Sequence, residues 1–282
     1  MKKRILVKAD PHIGYTPVLE GICSAVSSIN GGIYIWNPLQ KSTYDTFYES
    51  RPDFLICMDR SVDKALANVV KEYTGTKTIT IGPDVPDYFT PTLTCYPNAS
   101  GERLYDLQPA ASLIDYFSGK EKQKYKSDIS TISDNETPVL AGLSDFALKS
   151  FSYTRKMKYP NYIGKILPEE VANIFASCIV YLDTDGNNDL LLSAMANRCA
   201  CISAAGTIFD KDYMPMIANM KELIDCAKAL VLKPSFRKEH IEKCYEFVMA
   251  QHTYFHRVSD IFSLLGEQEL SKDCLKKMEE YL

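Results

Sequence analysis

The chain lacks several features that would fix its class at once. None of its 282 residues belong to an apolar run long enough to span a bilayer, so no membrane helix is expected. No stretch repeats at a fixed period, which excludes a solenoid or propeller. Net charge is only −4, against a surface built for non-specific nucleic-acid binding, although a local basic groove stays open. The nine cysteines are odd in number, scattered and without a CxxC, so neither a disulfide framework nor a zinc ribbon is indicated. They read as reduced, mostly buried thiols of a cytoplasmic protein. The basic start MKKRILVKAD has its apolar stretch cut by Lys8 and Asp10, and is expected to be a first strand rather than a signal peptide. With 46% apolar and 24% charged residues, the composition is that of a folded globular chain.

What is present is an alternation of two hydrophobic periods. Ile5 to Ala9, Ile33 to Trp36, Asp53 to Met58, Thr78 to Ile81 and Thr92 to Tyr96 read as strands. Between the first four, Pro17 to Ile29, Thr43 to Ser50 and Asp59 to Tyr73 read as helices, the first opening with Thr16 as cap and Pro17 at its first turn. Such alternation with short connections implies a doubly wound parallel sheet. From Gly101 to Lys126 the pattern loosens: Pro109 to Phe117 has helical character and KEKQKYK (Lys120 to Lys126) is a charged crossing. Alternation restarts with a strand over Asp128 to Ser133, a helix over Pro138 to Lys149, a strand over Ile163 to Ile166 and a helix from Pro168 to Ser177.

Ser177 to Ala204 is the most telling stretch. An apolar run (Cys178 to Leu182), a turn containing Gly186-Asn187-Asn188, a helix from about Asp189 to Asn197 and a second run (Cys199 to Ser203) make a βαβ unit. Its first loop and helix N-terminus belong at the carboxyl edge of a parallel sheet, where α/β proteins bind phosphates and nucleotides. Helices over Met220 to Val231, Phe236 to Ala250 and His252 to Leu265, and a charged amphipathic tail, complete the chain. The fold class is therefore α/β. Three segments are expected: a Rossmann-like domain over 1–106, a second over 107–251, and a helical segment over 252–282 that returns toward the first. Two such halves with a C-terminal helix crossing back describe the GT-B glycosyltransferase fold.

Several runs carry a resemblance. Leu167-Pro168-Glu169-Glu170 with Cys178 to Leu182, and above all His252-Thr253-Tyr254-Phe255-His256-Arg257 followed by Ile261 and Leu264-Leu265, resemble the group-1-like glycosyltransferases related to spore maturation proteins. Leu107 to Ala111 and Tyr125 to Ile129 are similar to that family's interdomain segment. The resemblance implies sugar transfer from a nucleotide-sugar donor, held by the C-terminal half, to an acceptor against the N-terminal half, with no metal and no other cofactor. A departing nucleoside diphosphate needs cations and helix N-terminal amides. Gly186, Asn187 and Asn188 can offer the amides, and Arg155 and Lys156 the cations. The family's ribose-binding glutamate aligns with Ser193 and its following glycine with Arg198, while Asp189 stands where a basic residue is usual.

Asp10 and His12, in the first strand-to-helix loop, are the candidates for the base that deprotonates the acceptor, with Asp59 a weaker one. Asp183-Thr184-Asp185-Gly186 matches a D-x-D metal motif and a phosphatase-like opening, but lies two-thirds along the chain, and Asp210 and Asp212, the only close acidic pair soon after it, lack the usual flanking strand; strand-end capping carboxylates are the plainer reading, with a donor contact beside it. His252 and His256 have i, i+4 spacing without a third ligand, which favours packing over zinc. Lys120 to Lys126 and Arg155 to Lys158, interleaved with Tyr125, Tyr153 and Tyr159, could bind nucleic acid, so hydroxymethylated DNA bases are a candidate acceptor. A second class of reading is a degenerate GT-B protein kept as a binding or structural module: Ser193 and Arg198 favour it, Asp10 and His12 oppose it.

Overall fold

The structure is a computed structural model. It describes residues 3–8, 17–30, 32–135, 138–154, 156, 161–204, 217 and 219–282. The chain divides into two compact units, Met1–Pro109 with Tyr254–Leu282, and Ala110–Thr253.

The first unit is a six-stranded sheet of β1 (Ile5–Lys8), β2 (Tyr34–Trp36), β3 (Phe54–Met58), β4 (Lys77–Ile81), β5 (Leu93–Tyr96) and β6 (Leu104–Asp106) in the order β2-β1-β3-β4-β5-β6, all parallel. Its connecting helices are α1 (Pro17–Asn30), α2 (Thr43–Ser50) and α3 (Lys64–Glu72). Strands β1 and β3 are buried on both faces, as their unbroken apolar runs require. α2 starts where Ser42 accepts from the Asp45 amide, and α3 where Asp63 accepts from the Leu66 amide. α3 begins five residues later than the sequence suggests, because Asp59–Ser61 first forms a 3₁₀ turn.

Two helices from the end of the chain, α8 (Tyr254–Leu264) and α9 (Gln268–Glu279), join this unit. Phe262 packs edge-on against Phe54. Lys77 donates to the Leu265 carbonyl and to Glu267, and Lys3 also pairs with Glu267. These cations hold the Glu267 carboxyl below its usual range, Lys77 most strongly. On α1, Gly21 lets the Tyr254 ring lie against the helix, since a Cβ there would come within 2.3 Å of ring carbons.

The second unit holds β7 (Ser127–Ile132), β8 (Leu148–Ser152), β9 (Tyr162–Lys165), β10 (Cys178–Asp183) and β11 (Ala200–Ser203), all parallel in the order β11-β10-β7-β8-β9. α4 (Val171–Ser177), α5 (Asn188–Ala196), α6 (Met220–Leu232) and α7 (Pro234–Gln251) pack around it. One face of the sheet, carrying Ile129, Leu148, Val180, Leu182, Ala200 and Ile202, is sealed by Leu223, Ala227 and Leu230 of α6. The βαβ unit over Ser177 to Ala204 forms as expected, with β10 and β11 paired from Val180–Ala200 to Asp183–Ser203.

Two expected helices are absent. Over Pro138 to Lys149 only a 3₁₀ segment (Pro138–Leu143) forms, and the chain then enters β8, whose Leu148, Phe151 and Ser152 are buried in the sheet. The run that reads as the tail of an amphipathic helix is a strand edge, so tertiary pairing with β7 overrides the local pattern. Pro109 to Phe117 is likewise not helical. Its backbone groups are taken by α5 instead, as described below.

Two outcomes follow. Alanine is ordinarily the better helix former, by about 1 kcal/mol; Gly21→Ala should nonetheless destabilise the protein by roughly 2 kcal/mol or more, because the methyl displaces the Tyr254 ring. Urea unfolding would measure it, and a gain in stability would contradict this packing. His240 on α7 faces the Cys201 carbonyl through Nε2 at 3.0 Å, and burial lowers its pKa from 6.5. The folded state favours the neutral ring. Stability is therefore full above the ordinary histidine range and is lost as pH falls through 6.5 toward the lower folded value. His256, lowered by burial and by Arg257, acts in the same direction. Melting temperature should fall between pH 7.5 and 5.5, less steeply in His240→Gln; identical slopes would exclude His240 as a contributor.

Candidate functional site: the carboxyl edge of the second sheet

In the second unit the chain runs from β7 outward to β8 and β9, then returns to the other side of β7 for β10 and β11. The direction of winding thus reverses between β7 and β10. The carboxyl ends of the strands at such a reversal are the usual ligand position in an open α/β sheet. The loops concerned are residues 133–135 after β7 and 184–187 after β10.

Asp183, the last residue of β10, organises this edge. It is 1% exposed, and its Oδ1 accepts from the amides of Asp185 and Asn187 while Oδ2 accepts the Ser203 hydroxyl. Burial pushes its carboxyl above the ordinary range, against the opposing pull of those donors. Asp185 reaches across to the other loop: Ser133 donates to Oδ1 at 2.7 Å and Asn135 to Oδ2 at 3.3 Å. After β7, Asp134 accepts the amides of Tyr153 and Thr154, which binds the β7 and β8 loops together. The D-x-D-G run is therefore a set of strand-end carboxylates that fix loops, the plainer of the readings above. Gly186 takes φ +72°, a left-handed conformation that a side chain would strain, and turns the chain into α5. Asn187 caps α5 by accepting from the Leu190 amide. Asn188, the first helical residue, has its Oδ1 buried without a hydrogen-bond partner; the Tyr181 hydroxyl beneath the loop is buried and unpartnered too.

The remaining proposed donor residues have other surroundings. Ser193 is 1% exposed, donates its hydroxyl to the Asp189 carbonyl and accepts the Ser112 amide. Asp189 accepts the Ala110 amide at 2.9 Å, and Asn197 donates to the Tyr116 carbonyl. Spaced one turn apart, these three side chains lay residues 110–116 along α5. That ladder is why the segment is not a helix of its own. Arg198 has φ +55° just past the end of α5, stacks on Tyr245 with 3.7 Å from guanidinium carbon to ring centre, and pairs with Glu242. A left-handed residue here is a helix stop, which explains why a glycine suits the position in the sequences this chain resembles. Lys156 is exposed beyond β8. Arg155, Asp10 and His12 lie outside the described residues, as do Lys158 and Tyr159.

The basic stretch does not form a stacking platform where it is described. Tyr125 is 4% exposed and packs edge-on against Phe151, while Lys124 pairs with Glu170 and Lys126 with Glu121. The HTYFHR run has a structural use at the chain's passage out of the second unit. His252 stacks on Phe247 and its carbonyl accepts the Ala111 amide; Thr253 bridges Ala111. On the first unit's side, Arg257 donates to the Gln108 and Pro109 carbonyls. Among the described residues no cluster of three or more His, Cys, Asp or Glu could hold a metal ion.

In the first unit, winding reverses between β1 and β3. Asp59 ends β3, 3% exposed, with its carboxylate accepting the amides of Arg60 and Asp84. Gly82 must lack a side chain there, for a Cβ would meet that carboxylate at 2.3 Å. Lys8, a residue the sequence pattern marks only as a break in an apolar run, is 2% exposed. Its ammonium donates to the Ser61 carbonyl and to Asp63 at 2.9 Å and lies 5.2 Å from the Trp36 ring centre.

Two parallel-sheet units of this topology, with terminal helices returning to the first, make the GT-B fold. Solved structures of the same fold include Anabaena HepE in complex with UDP and glucose, at TM-score 0.58 and 7% identity over 94% of this chain and 99% of that one. The glycotransferase of kitacinnamycin matches at TM-score 0.53 and 10% identity over 93% and 99%. A putative UDP-N-acetylglucosamine 2-epimerase from Listeria monocytogenes matches at 0.56 and 8% over 94% and 97%. At such identities the likeness is one of fold. No family model matches the chain, and no curated protein matches it in sequence.

The Asp183 network gives a direct expectation. Asp183→Ala should cost about 2–4 kcal/mol by stranding two buried loop amides, whereas Asp183→Asn, which keeps an acceptor for them, should cost under about 1 kcal/mol. Equal losses in the two variants, measured by chemical denaturation, would remove Asp183 from its organising role.

Proposed function

We propose that the protein is a glycosyltransferase that takes a nucleotide sugar at the β7–β10 crevice of its second unit and moves the sugar to an acceptor hydroxyl. The observation that carries this reading is the carboxyl edge at the winding reversal, where a glycine turn leads into the N-terminus of α5 and the Asn188 amide oxygen lacks a partner. The GT-B neighbours add weight, since HepE was solved with UDP and glucose. A uridine diphosphate is therefore the first nucleotide to test.

In this reading the Gly186 amide faces the diphosphate, the Asn187 and Asn188 amides being held by Asp183 and by the Gly186 carbonyl, and Arg155 and Lys156 supply positive charge as it departs. The acceptor oxygen bonds to the anomeric carbon as the bond to the diphosphate breaks. The acceptor's proton goes to a base, for which Asp10 and His12 are the candidates. Ser193 is a positioning residue rather than a ligand, because its hydroxyl already bonds two backbone groups. Transfer proceeds without a metal, in the cytoplasm, and a hydroxymethylated DNA base is one acceptor to examine.

A non-catalytic GT-B module is the second reading. It is favoured by the acidity of the same edge, where Asp183, Asp185 and Asp189 gather near the start of α5. Calorimetric titration with a panel of nucleoside diphosphates separates the two: saturable binding of one member is expected, and binding of none would overturn the enzyme. Incubation with UDP-glucose and hydroxymethylcytosine duplexes tests the DNA acceptor, and transfer indifferent to the hydroxymethyl group would exclude it. Asn188→Ala should leave the free protein's stability within about 1 kcal/mol, because it deletes an unpaired amide. It should weaken nucleotide binding by up to about tenfold, the worth of one hydrogen bond accepted by its Oδ1 from a ribose or sugar hydroxyl. Unchanged affinity would take Asn188 out of the site.

A further inference from the structure

The amino ends of β10 and β11 bring two thiols into contact on the side of the sheet away from the proposed nucleotide crevice. Cys178, the first residue of β10, and Cys199, just before β11, stand with their sulfurs 3.7 Å apart. Cys178 is partly exposed, whereas Cys199 is 4% exposed. Cys178 also contacts the Phe175 carbonyl and the Ser130 side chain, and Cys199 the Ala200 carbonyl and the Cys201 side chain. A sulfur–sulfur bond is about 2.05 Å. Closure has to bring the sulfurs nearer by about 1.7 Å.

We propose that Cys178 and Cys199 form an oxidation site, closing to a disulfide under peroxide. The sulfur of Cys178, the residue with the greater exposure, attacks peroxide oxygen; the O–O bond breaks, giving a sulfenic acid on Cys178 and one water. The Cys199 sulfur then attacks the Cys178 sulfur; the S–S bond forms, and the sulfenic oxygen leaves with the Cys199 proton as a second water. Two thiols and one peroxide thus give one disulfide and two waters. Contact with Cys199 and burial keep Cys178 protonated; Cys178 pulls the Cys199 thiol down, but contact with Cys201 and burial outweigh it, so the reaction is slow compared with a dedicated sensor cysteine. What it forms is a staple: a covalent ring enclosing β10, the Asp183 to Asn187 loop and α5, that is, the whole strand-loop-helix that carries the crevice. Such a ring restricts the unfolded chain and leaves the folded edge where it is. Cys201 is the competing partner, since its sulfur donates to the Cys199 carbonyl at 3.2 Å.

The test is oxidation of the folded, full-length protein with hydrogen peroxide, followed by alkylation of free thiols, digestion and mass mapping. A peptide linking Cys178 to Cys199, lighter by two hydrogens, is expected, with a rise in melting temperature of roughly 5–10 °C that dithiothreitol reverses. Cys178→Ser and Cys199→Ser should each abolish both the link and the rise; Cys201→Ser should keep them. Absence of the linked peptide in protein whose circular dichroism stays native would overturn the proposal, as would a link that appears only in urea or joins Cys201 instead. Nucleotide titration of the oxidised protein is not needed for this outcome, so the oxidation site and the proposed activity stand or fall separately.

Discussion

A single carboxylate buried at the end of β10 sets the shape of the second unit's ligand edge. Asp183 satisfies two loop amides and one hydroxyl, so the turn that follows has one conformation rather than many. Its burial is unfavourable to the ion, as the raised pKa records, and three donors offset that. The energetic logic is that of a hub: the loop amides would otherwise be stranded in a dry site, and a stranded amide costs more than a made hydrogen bond returns. Asp185 carries the same arrangement to the neighbouring loop, so the two loops that flank the crevice are one connected object.

α5 does two unrelated tasks with its two ends and its side. Its N-terminus faces the crevice; its flank, through Asp189, Ser193 and Asn197, holds residues 110–116 against it. The residues that looked like erosion of a donor site are thus spent on backbone. Asp189 is committed to the Ala110 amide, Ser193 to a backbone pair, and Arg198 to ending the helix.

Much of the fold was legible in the sequence because most of its strands are largely buried and α2, α3, α5 and α6 open on a capping side chain. The βαβ unit, the restart after Lys126 and the helices from Met220 onward read correctly, and so did the return of the terminal helices. What was not legible turned on non-local pairing. β8 is a strand only because β7 and β9 flank it, and its residues fit a helical stripe equally well in isolation. Missing β8 conceals the strand order, and with it the winding reversal that marks the crevice. Ser133, Asn135 and Asp134 therefore carried no signal, being ordinary polar residues after a strand. Lys8 was readable as an interruption, but not as a buried cation, since its partners Ser61 and Asp63 are distant in sequence. Tyr125 shows the opposite error: an aromatic among lysines suggests a nucleic-acid surface, yet its ring is core.

The pairing of Ala111 with Thr253 has a topological meaning. The point where the chain enters the second unit lies beside the point where it leaves. The unit is thus an insertion with adjoining ends, closed on itself like a loop on a knotless string. Evolution can add, exchange or lose such a module by one local splice, because the host needs only to rejoin two neighbouring positions. A scaffold built this way can exchange its inserted unit without redesigning the first sheet, and the residues most constrained in the exchange are those at the seam.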